Sequence, residues 1–252
     1  MRITLLLTAL AIMAAVLVRS SQIEDRLLRS DPNSIPADAV LMEFARVRGE
    51  ALFEARCAAC HGLRGLGDTG RGIPNLSDRD WLYGTGMVSD IEQVVKYGIR
   101  SHHPKAWNLA VMPAYARPAR GNRTASLSPA DVRDLVEFLF HAQGRDADAA
   151  AAGRGAEVYA GGGGCYDCHA ADGKGDPSIG APDLTDRVNL YGDGSRESLS
   201  MSIEYGRHGV CPAWVSRIGP AGIRELALFV HSLSHPPARP QGPARAAAPG
   251  GG

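Results

Sequence analysis

Cys57-Ala58-Ala59-Cys60-His61 and Cys165-Tyr166-Asp167-Cys168-His169 place two thiols and an imidazole on one short stretch, twice in the chain. Thiols separated by two residues can reach both vinyl groups of one haem and form thioethers. The adjacent imidazole then meets the iron from the proximal side, which is the attachment pattern of a c-type haem. A single copy would also suit half of a zinc site. Two copies in repeated segments point to two covalently bound haem c groups. Cys57 and Cys60 would hold the first, and Cys165 and Cys168 the second. His61 and His169 would be the fifth iron ligands.

An electron-transfer haem also keeps its sixth position filled. Met112 is the candidate for the first haem: it follows the motif by the length of a small domain and precedes a proline. Thioether ligation raises the reduction potential. For the second haem the repeat puts Cys211 where Met112 stands, each followed by Pro-Ala-aromatic. Three readings stay open there. Cys211 ligates as thiolate and lowers the potential; His208 reaches the iron instead; or the iron is five-coordinate and Cys211 is a small buried hydrophobe. Met201 reads as core. A proximal histidine also needs an acceptor for its other ring N–H, and the carbonyls of Pro74 and Pro182 are the candidates. His102, His103, His141, His231 and His235 have no repeat counterpart at a ligand position. Trp107 reads equally as a docking or a packing residue.

The elements that must position these groups come as a tandem repeat. Pro74-Asn75-Leu76 matches Pro182-Asp183-Leu184, Leu82-Tyr83-Gly84 matches Leu190-Tyr191-Gly192, and Gly98 matches Gly206. The register then breaks at an insertion, Ile99 to Val111. Each half closes with an amphipathic helical pattern: Val132, Leu135, Val136 and Leu139, then Ile223, Leu226, Ala227 and Val230. Ser128-Pro129 caps the first of these. The opening helices read as Val47 to Ala55 and Ala156 to Ala160. The fold class is all-α: two tandem class I-like cytochrome c domains after an N-terminal hydrophobic helix. The expected organisation is a membrane anchor or signal segment at 1–22, a helical spacer at 23–46, and domain 1 at 47–143. A linker at 144–154, domain 2 at 155–235 and a disordered tail at 236–252 complete it.

The chain has 252 residues, a formal net charge of zero and five cysteines, of which Cys211 alone falls outside the motifs. No disulfide framework and no nucleic-acid partner are indicated. The apolar run from Ile3 to Val18 would make a helix about 24 Å long, serving as an anchor or as a cleaved signal. Either exports the rest of the chain to the side where haem c is attached, the periplasmic side of a bacterial inner membrane.

Cys57-Ala-Ala-Cys-His-Gly62, the run from Pro74 to Gly84, Met112-Pro-Ala-Tyr115, Gly180 to Asp186, Pro212-Ala-Trp214 and Phe229 to Leu233 together resemble the dihaem cytochrome c subunit of the C-family (cbb-type) haem-copper oxidases. The resemblance runs from about Gly49 to Leu233. It implies an anchored periplasmic protein that takes electrons from a quinol-oxidising complex or a soluble cytochrome and passes them to the oxidase's catalytic subunit. It carries the family's ligands onto His61, Met112 and His169. The chain departs from the family at Cys211, where methionine is expected. The leading function is electron transfer in a respiratory chain rather than stand-alone enzymatic activity. The alternatives, from the possible Cys-ligated haem, are oxidation of thiosulfate-like sulfur compounds or gas and redox sensing.

Overall fold

The structure, a computed structural model, describes residues 2–116 and 126–236. Among them there is no β-strand, only isolated bridges. Nine α-helices are described: α1 (Arg2–Arg29), α2 (Ala39–Arg56), α3 (Ala58–His61), α4 (Val88–Tyr97), α5 (Pro129–Ala142), α6 (Ala149–Ala160), α7 (Tyr166–His169), α8 (Arg196–Tyr205) and α9 (Pro220–Ser234). The all-α class and the two repeated helical sets are as expected. The tail read as disordered lies, beyond residue 236, outside the described residues.

Helix starts follow from local chemistry. Ser128 and Asp131 form a capping box ahead of α5, with Pro129 in the first turn. Asp38 accepts from Val40 and Leu41 at the start of α2, and Asp148 from Ala150 and Ala151 at the start of α6. Helix α6 therefore begins inside the segment read as linker 144–154, because a capped run of alanines favours helix. Only residues 143–148 separate it from α5.

That short connection decides the packing. It folds α5 and α6 back on each other as antiparallel neighbours, joined by Phe138 against Tyr159 with ring centroids 5.0 Å apart. Their cluster contains Val132, Leu135, Leu139, Tyr159 and, from α8, Ile203. Helix α9 packs instead on α2 and α4, with Phe229 against Phe53 at 5.2 Å. This second cluster buries Leu41, Phe53, Ile91, Ile223 and Leu226. Each C-terminal helix thus packs on the opening helix of the other repeat. The expected domains 47–143 and 155–235 are sequence repeats but not packing units. One packing unit is made of the described residues between about 112 and 210. The other is made of the chain before it and the chain after it.

The segment 23–46 is more than a spacer. Leu27, Ile35, Leu41 and Ala45 lie fully inside the α2–α9 cluster. The buried Arg224 of α9 pairs with Glu92 and donates from Nη1 to the carbonyls of Leu27 and Ser30 at 2.9 and 3.0 Å. A cation is thereby placed on the last carbonyls of α1, where the helix dipole favours it. The span Thr4–Arg29 of α1 holds an 18-residue window of mean hydropathy 1.9, none of which is buried in the protein. The helix is long and apolar enough to cross a bilayer.

Candidate haem sites

Helices α3 and α7 are single turns that carry the two Cys-x-x-Cys-His motifs. In each, the histidine N–H and that of the second cysteine close back on the first cysteine's carbonyl, at 2.9 and 3.0 Å in the first and 2.9 and 3.2 Å in the second. His61 Nδ1 lies 3.1 Å from the carbonyl oxygen of Pro74, and His169 Nδ1 lies 3.0 Å from that of Pro182. Both prolines are thus the acceptors expected. A carbonyl can only accept, so Nδ1 carries the proton and Nε2 keeps its lone pair for a metal. Burial holds both imidazoles below their ordinary pKa, against the opposing pull of the carbonyls. Burial also raises the thiol pKa values of Cys57, to about 11, and of Cys165.

This donor set fits haem c. Each motif offers two free thiols on one turn and a fixed neutral imidazole beside them. Tyr83 contributes a buried hydroxyl with no partner, a donor that a haem carboxylate would satisfy. No group of three His, Cys, Asp or Glu side chains among the described residues is arranged to hold a metal ion on its own, so the zinc reading has no support.

The loops that carry Met112 and Cys211, the expected sixth ligands, lie in reverse of the expected order. Met112 packs in the cluster that contains Cys165, Leu184 and Tyr159. Tyr115, just beyond it, donates from its hydroxyl to the carbonyl of Gly163 at 2.7 Å. Cys211 lies with Cys57 and Cys60, whose thiols act electrostatically on its own. Trp214 next to it packs in the α2–α9 cluster and bonds to the carbonyl of Val95 at 3.1 Å. Met112 therefore belongs with the motif of Cys165, Cys168 and His169, and Cys211 with that of Cys57, Cys60 and His61. The physical reason is the short 143–148 connection, which holds α5 on α6, together with the bond from the N–H of Leu127, just before α5, to the carbonyl of Tyr115 at 3.2 Å. His208 is exposed, and Met201 is 42% exposed and so not the core residue expected.

The loops cross as two short antiparallel contacts, Ile99 with Cys211 and Met112 with Arg207. Ile99 and Cys211 exchange both backbone bonds at 2.9 Å, and Met112 and Arg207 both at 3.3 Å. Burial pushes the Cys211 thiol up to about 12. Such a thiol stays protonated near neutral pH unless a metal's charge stands beside it.

The two units meet across a pseudo-two-fold axis. The ring of Tyr191 lies over Gly72, and that of Tyr83 over Gly180, the repeat-equivalent pair. A Cβ would come within 2.0 Å of the first ring and 2.2 Å of the second. Both glycines have φ near +70°, at +66° and +76°, so two independent reasons exclude a side chain. Gly84 donates to the carbonyl of Pro177 at 3.1 Å, and Gly192 to that of Thr69 at 2.9 Å. Trp107 packs edge-on against Tyr83 at 5.5 Å, which favours its packing role. Neither the crossing nor this interface is signalled by either repeat alone.

Comparison with known proteins finds a family match in each half of the chain. Residues 47–143 match the family model described as cytochrome c, and residues 150–230 the one described as cytochrome C oxidase, cbb3-type, subunit III. The chain is 35% identical over 214 residues to the cbb3-type cytochrome c oxidase subunit CcoP of Cereibacter sphaeroides, covering 85% of this chain and 70% of that protein. It is 38% identical over 219 residues to CcoP of Rhodobacter capsulatus, covering 84% and 70%. It is likewise 38% identical over 203 residues to the subunit FixP of a Bradyrhizobium species, covering 79% and 64%.

Proposed function

The chain belongs to the family of cbb3-type cytochrome c oxidase subunits called CcoP and FixP, and from that premise we propose that it carries electrons through two covalently bound haem c groups to the catalytic subunit of a terminal oxidase. The electrons come from a quinol-oxidising complex or a soluble cytochrome. The protein stands on the periplasmic side of a bacterial inner membrane, with α1 as its anchor. Haem, when bound, supplies a reversible one-electron iron couple.

The chain's own residues do the rest. Cys57 and Cys60 tether one macrocycle, and Cys165 and Cys168 the other. Pro74 and Pro182 fix the tautomer of His61 and His169, so each Nε2 is ready without reorganisation. With haem bound, Met112 would supply the sixth ligand at the site of His169, and Cys211 at the site of His61. A thioether raises the reduction potential, so the site of Cys165, Cys168 and His169 is the higher of the two. The observation that carries this reading is the pair of cysteine turns, each with a proximal imidazole held by a proline carbonyl.

The test is a haem count on the purified holoprotein, followed by rapid mixing of the reduced form with the oxidase core. Two haems per chain, reoxidised only when the core and oxygen are present, are expected. One haem per chain, or reoxidation at the same rate without the core, would overturn the proposal. Cys211 beside the first motif is the one feature that favours sulfur-compound oxidation instead. Turnover of thiosulfate with a dye acceptor, lost in Cys211→Met, would establish that second reading.

A further inference from the structure

One side chain reaches both crossing loops. The guanidinium of Arg100 donates from Nε to the carbonyl of Gly209 at 2.7 Å and from Nη1 to the carbonyl of Ala110 at 2.9 Å. Gly209 stands two residues before Cys211, and Ala110 two residues before Met112. The two acceptors are therefore equivalent positions on the two loops. Arg100 lies within the crossing itself: its backbone N–H bonds to the carbonyl of Trp107 at 2.8 Å, and its guanidinium carbon lies 5.9 Å from the centre of the Tyr83 ring. Its φ is +47°, a left-handed conformation shared by only one other non-glycine residue among those described, Ala170. Backbone strain of this kind persists only where surrounding contacts sustain it, here the two bonds of the guanidinium. Arg207, also at the crossing, is occupied elsewhere, with Ser202 at 3.0 Å and the ring of Tyr191 at 4.5 Å.

Arginine suits this geometry because its donors diverge in a rigid plane. Two acceptors on separate segments can be held at once by one guanidinium, whereas a lysine ammonium is a single point. We propose that Arg100 is a positioning residue that couples the two ligand loops, so that the segments 110–112 and 209–211 are held at, or released from, their two haems together. The inference rests on the reading that these loops carry the sixth ligands, but the bonds to both loops do not depend on which side chain meets the iron.

The test is hydrogen exchange on the holoprotein, wild type against Arg100→Gly and Arg100→Lys, with redox titration of each. Glycine suits the positive φ, so the first variant removes the guanidinium while relaxing the backbone. Each lost bond from a charged donor corresponds to about a tenfold change in local opening. Exchange about tenfold faster at both 109–113 and 208–213, with α2 and α6 unchanged and both haem potentials displaced, is expected. Lysine should protect one loop at most. Should Arg100→Gly loosen α2 and α6 as well, Arg100→Lys decides: one loop opened supports the coupling. Faster exchange at one loop only in Arg100→Gly, no change at either, or full protection of both loops by lysine would overturn the proposal. Loss of the ligation reading is seen separately, as a wild-type oxidised spectrum with no sulfur-to-iron signature at either haem.

Discussion

Replacing Gly49 by alanine tests the crossed packing at one atom. Gly49 sits where α2 crosses α9. A Cβ there would lie 2.2 Å from the carbonyl oxygen of Glu225 and 2.7 Å from the Cβ of Phe229, where ordinary contact begins at 3.4 Å. The obstacle is backbone, which no rotamer change can move, so the two helices must separate by about 1 Å. Overpacking of this kind costs about 1–3 kcal/mol. Alanine returns up to about 1 kcal/mol of helix propensity over glycine. The net loss is then up to about 2 kcal/mol, and 1.4 kcal/mol is tenfold in an equilibrium constant. Thermal unfolding should begin earlier, and amides of α9 should exchange about tenfold faster while those of α5 keep their protection. Gly155→Ala is the mirror experiment: its Cβ would lie 2.1 Å from the carbonyl oxygen of Asp134, so α5 should loosen and α9 should not. A Gly49→Ala protein in which α5 loosens and α9 stays protected would refute the crossed arrangement outright.

Other outcomes follow from the same geometry. Cys211→Met should raise the lower of two resolved reduction potentials and alter the spectrum of the haem on Cys57 and Cys60; an effect on the other haem would sink the assignment. Leu226→Ala, at a fully buried position, should cost about 2–5 kcal/mol by denaturant titration. Glu137 is held below the usual carboxylate range chiefly by its hydrogen bond to Arg196. Its stabilisation is therefore present above the ordinary carboxylate pKa and lost as pH falls through the lowered one. Glu137→Gln should cost at most about 1 kcal/mol at neutral pH, with the difference from wild type vanishing in acid. A fragment of residues 110–210 should fold and bind one haem, whereas 1–143 should not, because Leu41 and Phe53 lose α9; solubility and haem content of the two decide it.

Much of the site was legible in the sequence because it is local. The cysteine turns, their histidines and the proline carbonyls all lie within one short stretch, so spacing alone fixes them. The amphipathic faces of α5 and α9 were legible too. Which opening helix each would cover was not: the two repeats present equivalent apolar faces, and periodicity does not distinguish Phe53 from Tyr159 as a partner. The deciding quantity was the length of the 143–148 connection. It was obscured because the alanines after Asp148 looked like linker composition rather than a capped helix. The buried role of Leu27 and Ile35 was hidden for a related reason: their partners, Arg224 and Leu226 among them, lie at the far end of the chain. Arg100 carries no pattern at all, since its two acceptors are backbone carbonyls.

The interrupted order of the chain sets a schedule for its biogenesis. In the proposed orientation, the residues after α1 emerge on the far side of the membrane in chain order. When residue 210 has emerged, everything needed to close around Cys165, Cys168 and His169 is present. The cysteines translated first still lack Cys211, Trp214 and the whole of α9. In that orientation the oldest thiols thus wait longest for the residues that cover them. Any ribosome that stops before residue 220 leaves a product with one finished centre and one that never closes.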